Sequence, residues 1–426
     1  LLWEIVNHGG SERDLSRTDL SGIHLPNANL SRAQLRLANL QNADLSGTDL
    51  TGTDLSGADL RGTNLSESNL RNADLRGARL DSTTQIDEKW RLVWEIVNQR
   101  TAGRNLSGAD LSGVDLGGSD LRLANLRDTD LTGSKLRRAD LSGADLSGAN
   151  LSKADLSGAD LSGAQLEGVD LKETRLDEDT RVEDKWRLVW EIASRGAAGR
   201  DLTGVDLSGA DLSGANLYIA DLSGADLSGS SLSNADLRGS KLSAADLRAC
   251  DLGGAQLNGV DLKETRLDED TRVEDKWRLV WEIVNQGAAG RDLSGADLSG
   301  ANLQQVDLRG ANMHGANLRA ANLRRADLSE ADLSAANLGD ADLNAAKLYD
   351  ADLRRAQLTG SELSQANLGG AKLTGANLRT ARVTAEQLAQ ALSLEDTIIP
   401  DGLDEELRRS SPAAHSLGHG FPSVPE

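Results

Sequence analysis

The sequence predicts an all-β solenoid in four arrays, separated by short α-helical segments and closed by a C-terminal helical cap. Three observations predict it. Leucine, or a close substitute, falls on every fifth residue through 15–80, 106–176, 202–267 and 293–383, giving 62 units of the type Ala-(Asp/Asn)-Leu-Ser-Gly. The gaps between these runs are equal: Leu80 to Leu106, Leu176 to Leu202 and Leu267 to Leu293 each span 26 residues. Aromatics make up only 2% of the chain, and all seven Trp (3, 90, 94, 186, 190, 277 and 281) lie outside the runs, so any core inside them is leucine and alanine.

A period of five fits neither common element. On an α-helix it advances about 500°, which scatters the leucines around the axis. On a flat strand an odd period sends successive leucines to opposite faces. The leucines share one interior only if the chain turns a corner in every unit. Gly is the most frequent residue two after the leucine, where a type II turn needs positive φ. Alanine two before the leucine points the same way and fills the smaller gap, and the Asp or Asn between them points outward. Stacked turns of such a coil lie roughly 4.8 Å apart. Each buried leucine contributes on the order of 2 kcal/mol, so an array is stable where one coil is not.

Each interruption carries a Trp pair at helical spacing. Thr180-x-x-Glu183 and Thr271-x-x-Glu274 read as capping boxes, and Gly196 and Gly287 sit where a helix would stop. The helix between them is expected to be about fifteen residues long. Trp277, Val280, Trp281 and Val284 form one stripe, with Leu279 and Ile283 outside it. The apolar arc is therefore near 200°, about twice what an amphipathic surface helix needs. Such a helix is expected to be covered on more than one side and to seal array ends, whose unpaired backbone groups are adhesive. A partner-binding or membrane-surface helix is the rival reading.

At the chain end, Thr384-x-x-Gln387 is a second kind of capping box, ahead of Leu388, Ala391 and Leu392. Leu1 to Asn7 matches Leu279 to Asn285, so the chain is expected to begin inside a helical segment with its true N-terminus missing. The expected segmentation is a partial helical segment at 1–14, arrays at 15–80, 106–176, 202–267 and 293–383, and helical segments at 81–105, 177–201 and 268–292. A helical cap at 384–402 and a disordered tail at 403–426 complete it.

No catalytic, cofactor-binding or metal-ligating constellation emerges. His8, His24, His314, His415 and His419 lack partners at ligand spacing. Cys250 occupies a position that elsewhere holds Ala and reads as a small core residue, and a single Cys excludes a disulfide framework. Asp177-Glu178-Asp179 lacks the spacing of a calcium loop and reads as an acidic cluster at a helix N-terminus. There is no phosphate loop and no apolar run long enough for a membrane span. The chain is expected not to be an enzyme, to need no cofactor and to be cytoplasmic.

The stretch ADLSGADLSGANLSKADLSGADLSGAQL (139–166) resembles the pentapeptide-repeat family. The resemblance implies a right-handed quadrilateral β-helix with four units per coil. Near-exclusive use of Leu at the central position, where the family often admits Phe, implies a uniform cross-section. Some relatives protect DNA gyrase by presenting a rod of DNA-like width and negative charge. The net charge of −21 invites that reading, but 15–80 and 293–383 are formally neutral and 106–176 and 202–267 carry −4 each. Fifteen or so coils make roughly 75 Å of rod. B-DNA of that length carries on the order of 44 charges. Arg324, Arg325, Arg354 and Arg355 interrupt the acidic surface further. The favoured reading is a non-catalytic rigid scaffold or protein-interaction solenoid with an unknown protein partner and no direct nucleic-acid binding; a gyrase-binding DNA mimic is the alternative. Tyr218 and Tyr349 are the only aromatic residues within the arrays, fewer than binding modules usually show.

Overall fold

Every unit is built around one hydrogen-bonded turn. Ala58 N–H donates to Leu55 O at 3.0 Å, closing the turn Leu55-Ser56-Gly57-Ala58, with Gly57 at φ +68°. Glycine is favoured there, since L side chains rarely adopt that φ. It is also favoured by space, because a Cβ on Gly57 would lie 2.6 Å from Leu37 Cδ2 in the neighbouring coil. Other residues tolerate the same conformation, among them Asn27 at +57° and Ile219 at +51°.

The computed structural model describes residues 10–99 and 101–410. Parallel bridges link each Asp or Asn position to the one twenty residues on, as in Asp54↔Asp74 and Asp145↔Gln165, so four five-residue units complete one coil. Leu55 N–H donates to Asp74 O, Gly57 N–H to Arg76 O, and Asp59 N–H to Ala38 O in the coil on the other side. The backbone groups of each unit are thereby satisfied by its two neighbouring coils. Leu146 is fully buried, with Ala144 and Ala149 filling the space beside it, and the central leucines are buried within the arrays, whereas Leu80, Leu176 and Leu267 at the array ends are half-buried.

The outward Asp or Asn has a second task. Asp145 Oδ1 accepts from Ser147 N–H at 3.0 Å and from Ser147 Oγ at 2.7 Å, and Asn150 does the same for Ser152. This side-chain turn explains why the position takes Asp or Asn and why Ser follows the leucine. Where Arg replaces that Ser, it forms a fork on the same carboxylate, as Arg61 does on Asp59 and Arg248 on Asp246.

The chain forms two units, 1–196 with 207–212, and 197–206 with 213–426. In the first, the ladder runs from Asp14↔Gln34 to Asn64↔Gln85, is followed by α1 (Glu88–Asn98), and resumes from Asn105↔Asn125 to Asp160↔Arg181 before α2 (Asp184–Arg195). In the second, it runs from Asp201↔Asp221 to Asp251↔Arg272, is followed by α3 (Asp275–Gln286), and resumes at Asp292↔Asn312. A one-turn α4 (Ala385–Leu388) and α5 (Asp404–Ser410) follow.

Several expectations are corrected. The coil begins before Leu15, since Gly10 and Glu12 already donate to Asn29 and Ser31. The helices hold eleven or twelve residues and start at Glu183 and Glu274 as N-caps with no side-chain capping bond, so the Thr180 and Thr271 boxes do not form. Those threonines are buried, and their Oγ1 atoms donate to Leu156 O and Leu247 O. Thr180-Arg181-Val182 is one more coil unit, displaced by a single inserted residue, which conceals it from a strict five-residue count. The box at Thr384 and Gln387 does form. The ladder nonetheless continues past it through Lys372↔Ser393 and Asn377↔Ile398, so 384–402 is only briefly helical. Residues 404–410 are helical rather than disordered, because Leu407 is fully buried and α5 packs against α4. The expected helix before residue 10, Trp3, His8, His415, His419 and the tail beyond 410 lie outside the described residues.

Leu146→Asp should unfold its array, because a buried charge without a partner is strongly destabilising. Asp145→Asn keeps the acceptor for Ser147 and should shift stability by under about 0.5 kcal/mol. Thermal melts of the two variants check the assignment, and equal losses would refute it.

Candidate functional site: the helical junctions

The features that set this chain apart from a plain repeat are its helices, and each sits on the last coil of an array. In the first unit, Trp94 Nε1 donates to Ala78 O at 2.7 Å and Asn98 Nδ2 to Leu75 O at 2.9 Å, while Arg91 reaches Thr84 O at 2.8 Å. Asn98 Oδ1 accepts from Gly77 N–H. In the second unit, α3 repeats these contacts at the same sequence offsets: Trp281 to Thr265 O, Asn285 to Leu262 O and Glu264 N–H, and Arg278 to Thr271 O. These side chains occupy ladder groups of the terminal coil that have no further coil above them.

The same helix reaches the next array. Lys89 Nζ donates to Asp110 Oδ1 at 2.8 Å and to Ser112 O at 3.0 Å, and Lys276 Nζ to Ser299 Oγ at 2.8 Å. Each lysine also lies over the neighbouring Trp ring, at 5.2 Å for Trp90 and 4.8 Å for Trp277. The burial differs from the expected stripe. Trp277, Val280 and Ile283 are buried, whereas Trp281, Leu279 and Val284 are half-buried. Ile283, expected off the stripe, is fully covered, and no apolar residue of α3 is exposed.

At one corner of the α1 junction and of the α3 junction the arrays touch directly. Asn72 N–H donates to Gly113 O at 2.7 Å, and Gly259 N–H to Gly300 O at 2.8 Å. Beside that corner each junction opens into a cleft. The one in the first unit is lined by Arg76, Asp115, Lys135 and Arg137, and the one in the second by Lys263, Val284, Asn302 and Val306.

The other sequence candidates fall in separate places. Cys250 is fully buried, its Sγ 3.4 Å from Ser230 Oγ, and burial pushes its thiol up to about 11, which makes a thiolate nucleophile unfavourable. His24 pairs with Asp44 at 2.9 Å and His314 with Ser334 at 2.8 Å, each with a residue twenty positions on. That partner was legible once the coil length is four units. Asp177 is not part of a helix N-terminal cluster. Its carboxylate accepts from the N–H groups of Gly158, Asp179 and Thr180, which together hold it below the usual range. Tyr218 is exposed with Arg238 stacked 5.6 Å from its ring, and Tyr349 is exposed elsewhere. Arg324 pairs with Asp342 and Arg354 with Asp352. Among the described residues, no group of three or more His, Cys, Asp or Glu could hold a metal ion, and no helix is long and apolar enough to cross a membrane.

The family model for pentapeptide repeats matches residues 14–84, 105–177, 201–269 and 292–382, most of the chain. The chain belongs to the pentapeptide-repeat family. Its repeats form the family's right-handed quadrilateral β-helix, and the matched ranges omit all three helical junctions. No curated protein sequence matches. Among solved structures, it is similar to HetL, a pentapeptide repeat protein involved in heterocyst differentiation regulation from the cyanobacterium Nostoc sp. strain PCC 7120. Identity is 32% over 65% of this chain and 90% of HetL, with a TM-score of 0.18. Rfr23 from the cyanobacterium Cyanothece 51142 is 25% identical over 43% of this chain and 97% of its own, with a TM-score of 0.14. QnrB1, a plasmid-mediated fluoroquinolone resistance protein, is 16% identical over 65% of this chain and 90% of its own, with a TM-score of 0.15. The family assignment rests on the repeat sequence and not on these superpositions.

Two measurements probe the junctions. Replacing Trp277 and Trp281 together with Ala should cost on the order of 3–5 kcal/mol and promote self-association. Iodide should quench the wild-type tryptophans far less than free indole, and a double variant that stays monomeric and equally stable would refute a covering role. Asp110 offers a pH readout. Burial raises its carboxyl, but the Lys89 ammonium and the Ser112 hydroxyl and N–H outweigh that and hold it down at about 2. The folded value lies below the unfolded one, so the stabilisation is present above about pH 4 and is lost as pH falls towards 2. Lys89→Met should bring the Asp110 titration, followed by NMR, back towards the ordinary carboxylate range.

Proposed function

We propose that this chain is a non-catalytic scaffold, an interaction solenoid of pentapeptide arrays whose helical junctions seal the array ends and, within each unit, connect one array to the next. The observation that carries the reading is the twofold attachment of α1 and α3. Each ties off the open ladder of one array and grips the next through a lysine, while a backbone bond joins the arrays at the corner. An array sealed at its end and joined to its successor holds surfaces at a fixed spacing without exposing sticky edges.

The charges weigh against a DNA mimic. The array carboxylates largely serve the chain itself, accepting the N–H two residues on and pairing with Arg or Lys, as Asp221 does with Lys241 and Asp307 with Arg309. Side chains engaged in this way do not reproduce an uninterrupted line of phosphates.

Stiffness is directly measurable. Spin labels at Ser294 and Thr374, four coils apart, should sit on backbones on the order of 19 Å apart with one narrow distance distribution. A broad or multiple distribution in the intact chain would overturn the scaffold reading.

A further inference from the structure

The cleft of the second unit, about 360 Å³, is bounded by the last coil of one array and the first coil of the next. Along its upper wall the ladder is open. In a regular coil Asn302 would both donate and accept across to a unit twenty residues earlier, but the residues at those offsets, Trp281 and Ile283, belong to α3. Among the described residues, no backbone partner reaches Asn302 N–H, Asn302 O, Gln304 O or Asp307 N–H, and Leu262 N–H on the lower wall is likewise without one. Val284 and Val306 supply an apolar floor. At the rim, Lys263 has an exposed ammonium whose nearest acid, Glu264, is 3.9 Å away. In the matching cleft of the first unit, the larger of the two at about 690 Å³, side chains already engage part of the open ladder. There Arg76, the counterpart of Lys263, donates to Gly117 O at 3.5 Å, and Lys135 reaches Asn72 O at 3.3 Å.

We infer that the cleft between Lys263 and Asn302–Asp307 is a docking slot for a short extended peptide segment of a partner protein. The segment runs alongside Asn302 and restores the missing rung of the ladder. Open donors and acceptors in strand register select an extended backbone, the mode by which peptides add to sheet edges. A cleft of this volume lies within the range of binding pockets, with Ile283, Val284 and Val306 set among polar and charged residues. Val284 and Val306 call for an aliphatic side chain pointing inward, and Lys263 for an acidic residue beside it. The inference rests on the reading of the chain as an interaction solenoid and names the chemistry of the partner.

The test uses the full chain and a fluorescein-labelled peptide, Val-Asp-Val-Thr-Val with blocked ends. Saturable binding is expected, weakened at least about tenfold by N-methylation of the central Val and by Asp-to-Lys exchange in the peptide. Lys263→Arg, which copies the Arg76 guanidinium that engages Gly117 O in the first unit, should weaken binding at least about fivefold. Bound peptide should slow hydrogen exchange at Asn302 and Asp307 and leave Asp115 unchanged. Binding indifferent to N-methylation would overturn the slot, since side chains alone would then be read. Absence of saturation up to about 1 mM would overturn it too. Neither result would disturb the scaffold reading if the spin-label distance stays single and narrow.

Discussion

The interaction on which everything else depends is the bond from each leucine N–H to a carbonyl nineteen residues on. It fixes the coil at four units, places every central side chain inside, and determines which residues are neighbours on the surface. Leu146 N–H to Gln165 O is one instance, and the stacking of His314 beside Ser334 and of Lys241 beside Asp221 follows from the same spacing. A single bond of this kind contributes about 1 kcal/mol net, so the structure relies on repetition and on the buried leucines beneath. The Asx turn at Asp145 supports it locally by fixing the backbone just before the corner.

Where the ladder ends at a helix, side chains take over some of its carbonyls. Trp281, Arg278 and Asn285 do for the last coil before α3 what the next coil does elsewhere. Thr48, Thr53 and Thr63 enter the alanine column only because each hydroxyl finds a leucine carbonyl in the coil below. Ser134 and Ser240 occupy the same column with no partner for their buried hydroxyls, which marks them as places where the core is less than optimal.

The repeat, its corner and its inward leucines were legible from the period alone, because no other backbone geometry brings every fifth residue to one side. Four units per coil was not, since a turn at each unit does not by itself specify how many turns close the ring. The helices were legible as amphipathic segments, but their starts were misplaced. Thr180 and Thr271 satisfy a capping pattern and a coil position equally well, and the six-residue step from Leu176 to Val182, one longer than the period, conceals the second. The junction clefts had no linear signature at all. They arise because the chain twenty residues before Asn302 is helix and not coil, which leaves that edge unpaired, a relation between residues brought together by the solenoid.

Four units to a coil also gives the chain a discrete angular step. Losing or gaining a single pentapeptide within an array shifts the azimuth of every later residue in that array by a quarter turn, whereas a change of twenty residues restores it. The Asp-to-Arg forks, the corner glycines and the lysines that grip across a junction are all registered to particular faces. Small insertions and deletions therefore act as rotations as well as changes of length. Duplication of whole coils is the route by which such an array can grow without scrambling which side chains meet.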